Sequence, residues 1–165
     1  MVKRVCILFL ALSLLLCSCA GKESKRRNRI PEWPFRMTAT VEMQTEQTTF
    51  TADWEYRDGQ SAFTLRAPQE LHGMTITCST IECRVECGGV QAELPQQSAF
   101  VLLDRAYRAL SDGLVEPQNT SEGWLYDGMD RYGFEALGVG DGSLQIRFPK
   151  AKAQAAFTVV PTEPA

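Results

Sequence analysis

The sequence holds a single histidine, His72, set between Leu71 and Gly73. A general base needs a nucleophile and an orienting group within reach, and neither is advertised near it, so His72 reads as a loop residue. No glycine-rich phosphate loop follows a strand. Asp127, Asp130 and Asp141 fall in glycine-containing turns but lack the spacing of a calcium loop. Glu82 and Glu86 alternate with apolar residues and so face solvent. These absences argue against an enzyme; no catalytic residue, metal site or cofactor is assigned.

Long apolar runs are missing as well. The longest, Val5 to Leu16, has twelve residues, whereas a hydrocarbon core about 30 Å thick needs about 20 in a helix. Cations are scarce beyond the first thirty residues: residues 31–165 carry ten Lys and Arg against nineteen Asp and Glu. Nucleic-acid binding demands a basic footprint, so this acidic body excludes that partner. It also argues against the body itself lying flat on an anionic membrane.

What is present begins with an export signal. Lys3 and Arg4 form a basic n-region, and the twelve-residue apolar run has the length of a signal-peptide h-region. Leu16-Cys17-Ser18-Cys19, followed by Ala20, resembles the bacterial lipobox. That resemblance implies cleavage before Cys19 and a diacylglyceryl thioether on it; two or more acyl chains give stable anchoring where one gives only marginal binding. An ordinary secretory cut nearby is the alternative, and Cys17 is a rival for lipidation with a poorer fit to the small-residue rule. Gly21 to Ile30 then carries five cations against Glu23 alone, without apolar periodicity. It reads as a flexible tether beside an anionic surface, each cation worth about 1 kcal/mol there. The expected organisation is a lipoprotein signal peptide over 1–18, a lipidated basic tether over 19–31 and one β domain over 32–165. The expected location is the extracytoplasmic face of a bacterial membrane, held by the lipid.

From Trp33 onward the dominant period is two, the mark of half-buried strands. Phe35, Met37, Ala39, Val41 and Met43 share one face, as do Phe50, Ala52, Trp54 and Tyr56 in the next segment. Asp58-Gly59 signals a hairpin, after which Phe63 and Leu65 point inward. Met74, Ile76 and Cys78 start another strand, with Ile81, Cys83, Val85 and Cys87 as its return, and Val90–Leu94 follows. One segment breaks the period. In Gln97 to Asp112, Phe100, Leu103, Tyr107 and Leu110 recur at three and four residues, with Asp104, Arg105 and Arg108 on the other side, which predicts an amphipathic helix of about four turns with Ser98 as N-cap and Gly113 at its end. After a loop at Glu116–Glu122, strands are expected at Trp124–Tyr126, Tyr132–Leu137, Leu144–Phe148 and Ala155–Val160, with Pro161 and Pro164 closing the ordered part.

The fold class is therefore mainly β (α+β): a curled antiparallel sheet or half-open barrel of about ten strands around one helix. Large sheets twist and curl, and a ten-strand curl around a single helix can leave apolar volume unfilled. The candidate cavity-lining residues are Met37, Met43, Trp54, Met74, Phe100, Leu103 and Tyr107. Methionine suits adaptable binding surfaces as well as irregular cores.

Cys78, Cys83 and Cys87 lack a fourth ligand or a nearby histidine and make a poor zinc site. Outside the cytoplasm a disulfide is permitted. A hairpin turning about Thr80-Ile81 would place Cys78 opposite Cys83; a bulged turn would favour Cys78 with Cys87; three free thiols remain the third option.

Two stretches carry a family resemblance. Phe63 to Gly73 (FTLRAPQELHG), and Tyr132 to Ala136 leading through a Gly-Asp-Gly turn to Ile146-Arg147-Phe148-Pro149, resemble elements of the bacterial lipoprotein carriers of the LolA/LolB type. The order of strands and helix from Phe35 to Val160 is similar too. The resemblance implies a curved sheet over an apolar cavity able to hold acyl chains. Two features depart from it: carriers begin with a helix, and the soluble ones are not anchored. Anchored members in spore-forming Gram-positive bacteria look similar and act as partners of cell-wall enzymes. The expected partners are thus the membrane through the anchor, and either an acyl-chain ligand or an envelope protein. An envelope sensor is a third expectation.

Overall fold

The computed structural model describes residues 30–162. The signal peptide, Cys19, the tether up to Arg29 and Pro164 lie outside the described residues.

Alternation of apolar and polar residues produces the strands. β1 (Arg36–Gln44), β2 (Thr49–Arg57), β3 (Gln60–Ala67), β4 (Thr75–Cys78), β5 (Cys83–Cys87) and β6 (Val90–Glu93) form a meander of antiparallel neighbours. Helix α1 (Ala99–Ser111) follows, then β7 (Pro117–Asn119), β8 (Trp124–Asp127), the single turn α2 (Met129–Tyr132), β9 (Glu135–Gly138), β10 (Ser143–Phe148), β11 (Ala153–Thr158) and β12 (Val160–Pro161). At the β2–β3 turn, Asp58 and Gly59 both take positive φ, 49° and 81°. That matches the twist of the flanking strands, and only glycine adopts the second value without strain.

All twelve strands join one antiparallel sheet in the order β6-β5-β4-β3-β2-β1-β11-β10-β9-β8-β7, with β12 also against β1. The sheet is open: β6 and β7 are its two edges. They are consecutive in the chain, so the segment joining them must cross the whole inner face, and α1 is that crossing. Eleven strands laid flat would span about 50 Å, yet inner-face residues from Cys83 in β5 to Tyr126 in β8 are buried around one helix about 10–12 Å thick, with Trp33 covering Tyr126 edge-on at 6.0 Å. The sheet therefore curls around the helix.

The core is aromatic. Trp54 stacks on Phe63 with ring centroids 5.2 Å apart and meets Tyr107 and Phe157 edge-on at 5.0 and 4.9 Å. Geometries of this kind add about 0.5–1.5 kcal/mol each beyond burial. One buried polar set sits among these rings. Asp104 of α1 accepts from Ser61 Oγ at 2.6 Å and pairs with Arg108 at 2.7 Å, which joins the helix to β3.

Several expectations are corrected. The strands number twelve rather than about ten. The Glu116–Glu122 loop contains β7, a three-residue edge strand. Tyr132 ends α2 instead of starting a strand, and the strand begins at Glu135, because the Gly128 and Gly133 backbone turns there: Gly133 takes φ 76° and its N–H bonds the Gly128 carbonyl. Phe35 belongs to the inward set by parity, but it precedes β1 at the rim and is 55% exposed. Pro161 lies within β12, opposite Met37, rather than ending order. Ser98 is the N-cap of α1, but its side chain makes no capping bond.

Candidate apolar groove

Residues 45–48 turn the chain from β1 to β2, and the inner faces of β2 to β5 run up to that end of the sheet. α1 begins only at Ala99, so its first turn leaves the ends of those strands uncovered. The result is a groove of about 520 Å³. Its floor is Phe50 of β2, Leu65 of β3, Ile76 of β4 and Val85 of β5. Leu71 and Met74 form one wall, Leu94, Ala99 and Phe100 the other, and Thr45 to Thr48, Ser98 and Ala151 complete the rim. This volume falls in the range of small-molecule pockets, which are mostly apolar with a few polar groups.

Burial varies along the lining. Leu65, Ile76 and Phe100 are buried, whereas Phe50, Leu71, Met74, Val85 and Leu94 are only partly so. Phe100 meets Phe50 edge-on at 5.6 Å and Phe63 at 5.1 Å, which fixes the inner end of the groove. The rim is held by its own hydrogen bonds: Thr45 Oγ1 donates to the Thr48 carbonyl at 3.0 Å and accepts from the Gln47 and Thr48 N–H groups. Glu46 pairs with Lys152 at 2.7 Å, both largely exposed. Such a surface pair is worth about 0–1 kcal/mol. Depressions on the outer face are smaller. One of about 260 Å³ is lined by Glu122, Leu125, Glu135, Leu137, Gln145 and Arg147 among others.

Of the seven residues expected to line a cavity, the structure brings Met74 and Phe100 to the groove. Met37, Met43, Trp54, Leu103 and Tyr107 lie in the packed core, at most 1% exposed. The helix fills the middle of the curl and leaves one end open. Phe50, Leu65, Ile76 and Val85 have the inward parity of their strands, but periodicity marks a residue as inward without showing whether anything covers it.

Cys78 and Cys83 are a direct cross-strand pair and are joined by a disulfide, while Cys87 is exposed and free. His72 is exposed at the end of a short 3₁₀ turn over Gln69–Leu71. Burial pushes the Tyr56, Tyr107 and Tyr126 phenols above their ordinary value of 10.0. No helix among the described residues is long and apolar enough to cross a membrane.

No protein-family model matches the chain, and no curated protein does. Among solved structures, it is similar to a LolA superfamily protein from Nitrosomonas europaea, with 9% identity and a TM-score of 0.41 over 85% of this chain and 90% of that one. It is also similar to an uncharacterized conserved protein from Thermus thermophilus, with 12% identity and a TM-score of 0.46 over 89% and 90%.

Proposed function

We propose that the chain is an extracytoplasmic lipoprotein, anchored through Cys19, whose domain holds an acyl chain or a similar apolar group in the groove at the start of α1. The observation that carries this reading is the groove itself: about 520 Å³ with a floor of Phe50, Leu65, Ile76 and Val85, open at one end and rimmed by polar side chains. Apolar surface left uncovered in water is unfavourable at about 25 cal/mol per Å², and an acyl chain would cover it without demanding a hydrogen bond from its walls. Binding, not catalysis, is the role this lining suits. Native mass spectrometry of the purified protein tests it. A bound species of several hundred daltons, lost in organic solvent, is expected; a chain that carries no lipid and accepts no added fatty acid would contradict it.

A second reading, docking of a cell-wall or spore-cortex enzyme, is favoured by one observation. β6 is an edge strand whose four residues are all exposed, and it holds one charged residue, Glu93, and no proline. β7, at the other edge, begins with Pro117, which blocks pairing. Strand addition to β6 would follow a known mode of recognition. A proline in place of Gln91 should then abolish capture of a stoichiometric membrane-derived partner; a partner kept by that variant, or recovery of lipid alone, would exclude this role for the edge.

A further inference from the structure

Ser61 of β3, Cys78 of β4 and Cys83 of β5 stand opposite one another across three neighbouring strands. All three face the interior, at 1%, 0% and 4% exposure. Asp104 descends on this row from α1 and is itself 2% exposed. Its carboxylate and the two sulfurs lie within 4.8 Å of one another. With the sulfurs joined they carry no charge, and Asp104 is balanced by Arg108 at 2.7 Å.

We propose that reduction of the Cys78–Cys83 disulfide turns this row into a buried site for one divalent cation of the zinc type. The ligands are the two thiolates and the Asp104 carboxylate. Thiolate and carboxylate together suit Zn²⁺ in a tetrahedral set.

Charge favours the assignment. Two thiolates, one carboxylate, the Arg108 guanidinium and a divalent cation sum to zero. A dry interior penalises any other balance. The disulfide form is neutral by the same count, and so is the dithiol with both protons in place. The site therefore has three neutral states, and the metal selects one of them.

Geometry favours it too. Zn–S bonds of about 2.3 Å and Zn–O bonds of about 2.1 Å place tetrahedral sulfurs roughly 3.8 Å apart and sulfur and oxygen roughly 3.6 Å apart. Once reduced, the sulfurs are free to part. Asp104 then has on the order of 1 Å to close, within reach of a side-chain rotation. Ser61 Oγ donates to Asp104 Oδ1 and Arg108 Nη2 to Oδ2, and a carboxylate keeps further lone pairs for a metal. Partners of this kind orient a ligand and tighten a site.

The chemistry balances with a phosphine as reductant. The phosphine takes the oxygen of one water and becomes its oxide; the S–S bond receives two electrons, and the two protons of that water end on Cys78 and Cys83. Metal binding then breaks two S–H bonds, forms two metal–sulfur bonds and releases two protons.

The test uses the purified chain with C6S, C17S and C19S, so that Cys78, Cys83 and Cys87 are its only cysteines, reduced with a water-soluble phosphine and titrated with Co²⁺ alone. One Co²⁺ should bind with a thiolate-to-cobalt charge-transfer band, and the unreduced chain should show none. C78S and C83S should each abolish the band, D104N should weaken Co²⁺ binding by about tenfold or more, and C87S should leave it unchanged. Far-UV circular dichroism shows whether each variant keeps its strands, and the comparison of this chain oxidised and reduced needs no further substitution. No band in the reduced chain would overturn the proposal, as would a band that survives C78S and C83S. Binding unaffected by D104N would remove Asp104 from the ligand set.

Discussion

Ser61 Oγ donates a 2.6 Å hydrogen bond to Asp104 Oδ1, across 43 residues of sequence and with both side chains shut off from water. This bond ties the crossing helix to β3, and with it the position of the first helical turn that leaves the groove open. Ser61→Ala would strip the buried carboxylate of one donor. The expected loss is about 1–3 kcal/mol, read from urea unfolding; an unchanged midpoint would show that the bond contributes nothing.

Tyr107 links the helix to the segment just before β1: its hydroxyl donates to the Pro34 carbonyl at 3.1 Å. Burial raises its pKa, and that of Tyr56 and Tyr126, above 10.0. A group whose folded pKa is raised gives stability that is complete below its unfolded value and lost as pH rises past it. Stability should thus be flat through neutral pH and fall above about pH 10. Tyr107→Phe should flatten that alkaline fall while costing about 0.5–1.5 kcal/mol at pH 7. Urea midpoints from pH 7 to 11 check both, and an equally steep fall in the variant would refute the assignment.

Trp33 packs over Gly138. A Cβ there would come within 2.6 Å of Trp33 Cζ2 and 3.1 Å of Cη2, so Gly138→Ala must displace the indole. Overpacking of this kind costs about 1–3 kcal/mol. Tryptophan emission should shift to the red as Trp33 moves toward water, and a native-like spectrum with unchanged stability would show that the ring has room.

Much of the architecture is legible in the sequence because period two is a local signal. The faces of β1 to β4 follow from the alternation around Met37, Trp54, Phe63 and Ile76, and α1 follows from the spacing of Phe100, Leu103, Tyr107 and Leu110. Elements whose order depends on tertiary context are not legible. β7 is three residues, Pro117 to Asn119, with no apolar alternation; its partner β8 places it. Asp104 reads as a solvent-face residue of the helix, yet lies 2% exposed, because a curled sheet approaches the helix from more than one side. The groove depends on where α1 starts relative to strand ends, and sequence spacing does not encode that distance. Of two cysteine pairings open in the sequence, the hairpin register selects Cys78 with Cys83.

Met74 forms one wall of the groove with Leu71 and is only partly buried. Met74→Asp puts a carboxylate where an apolar chain would lie. Affinity for a fluorescent fatty acid should fall by about tenfold or more, given the cost of desolvating a charge. Gln91→Glu on β6 should leave it unchanged. Equal affinities across parent and both variants would place the ligand elsewhere.

The most direct measurement is photolabelling with a fatty acid that carries a diazirine near its terminal carbon, followed by mass spectrometry of the digest. Labels should fall on peptides holding Phe50, Leu65, Met74 to Ile76, Val85 or Phe100, and excess unlabelled fatty acid should suppress them. Labels confined to outer-face residues such as Glu135 and Gln145, or no competed label at all, would contradict a groove that binds acyl chains.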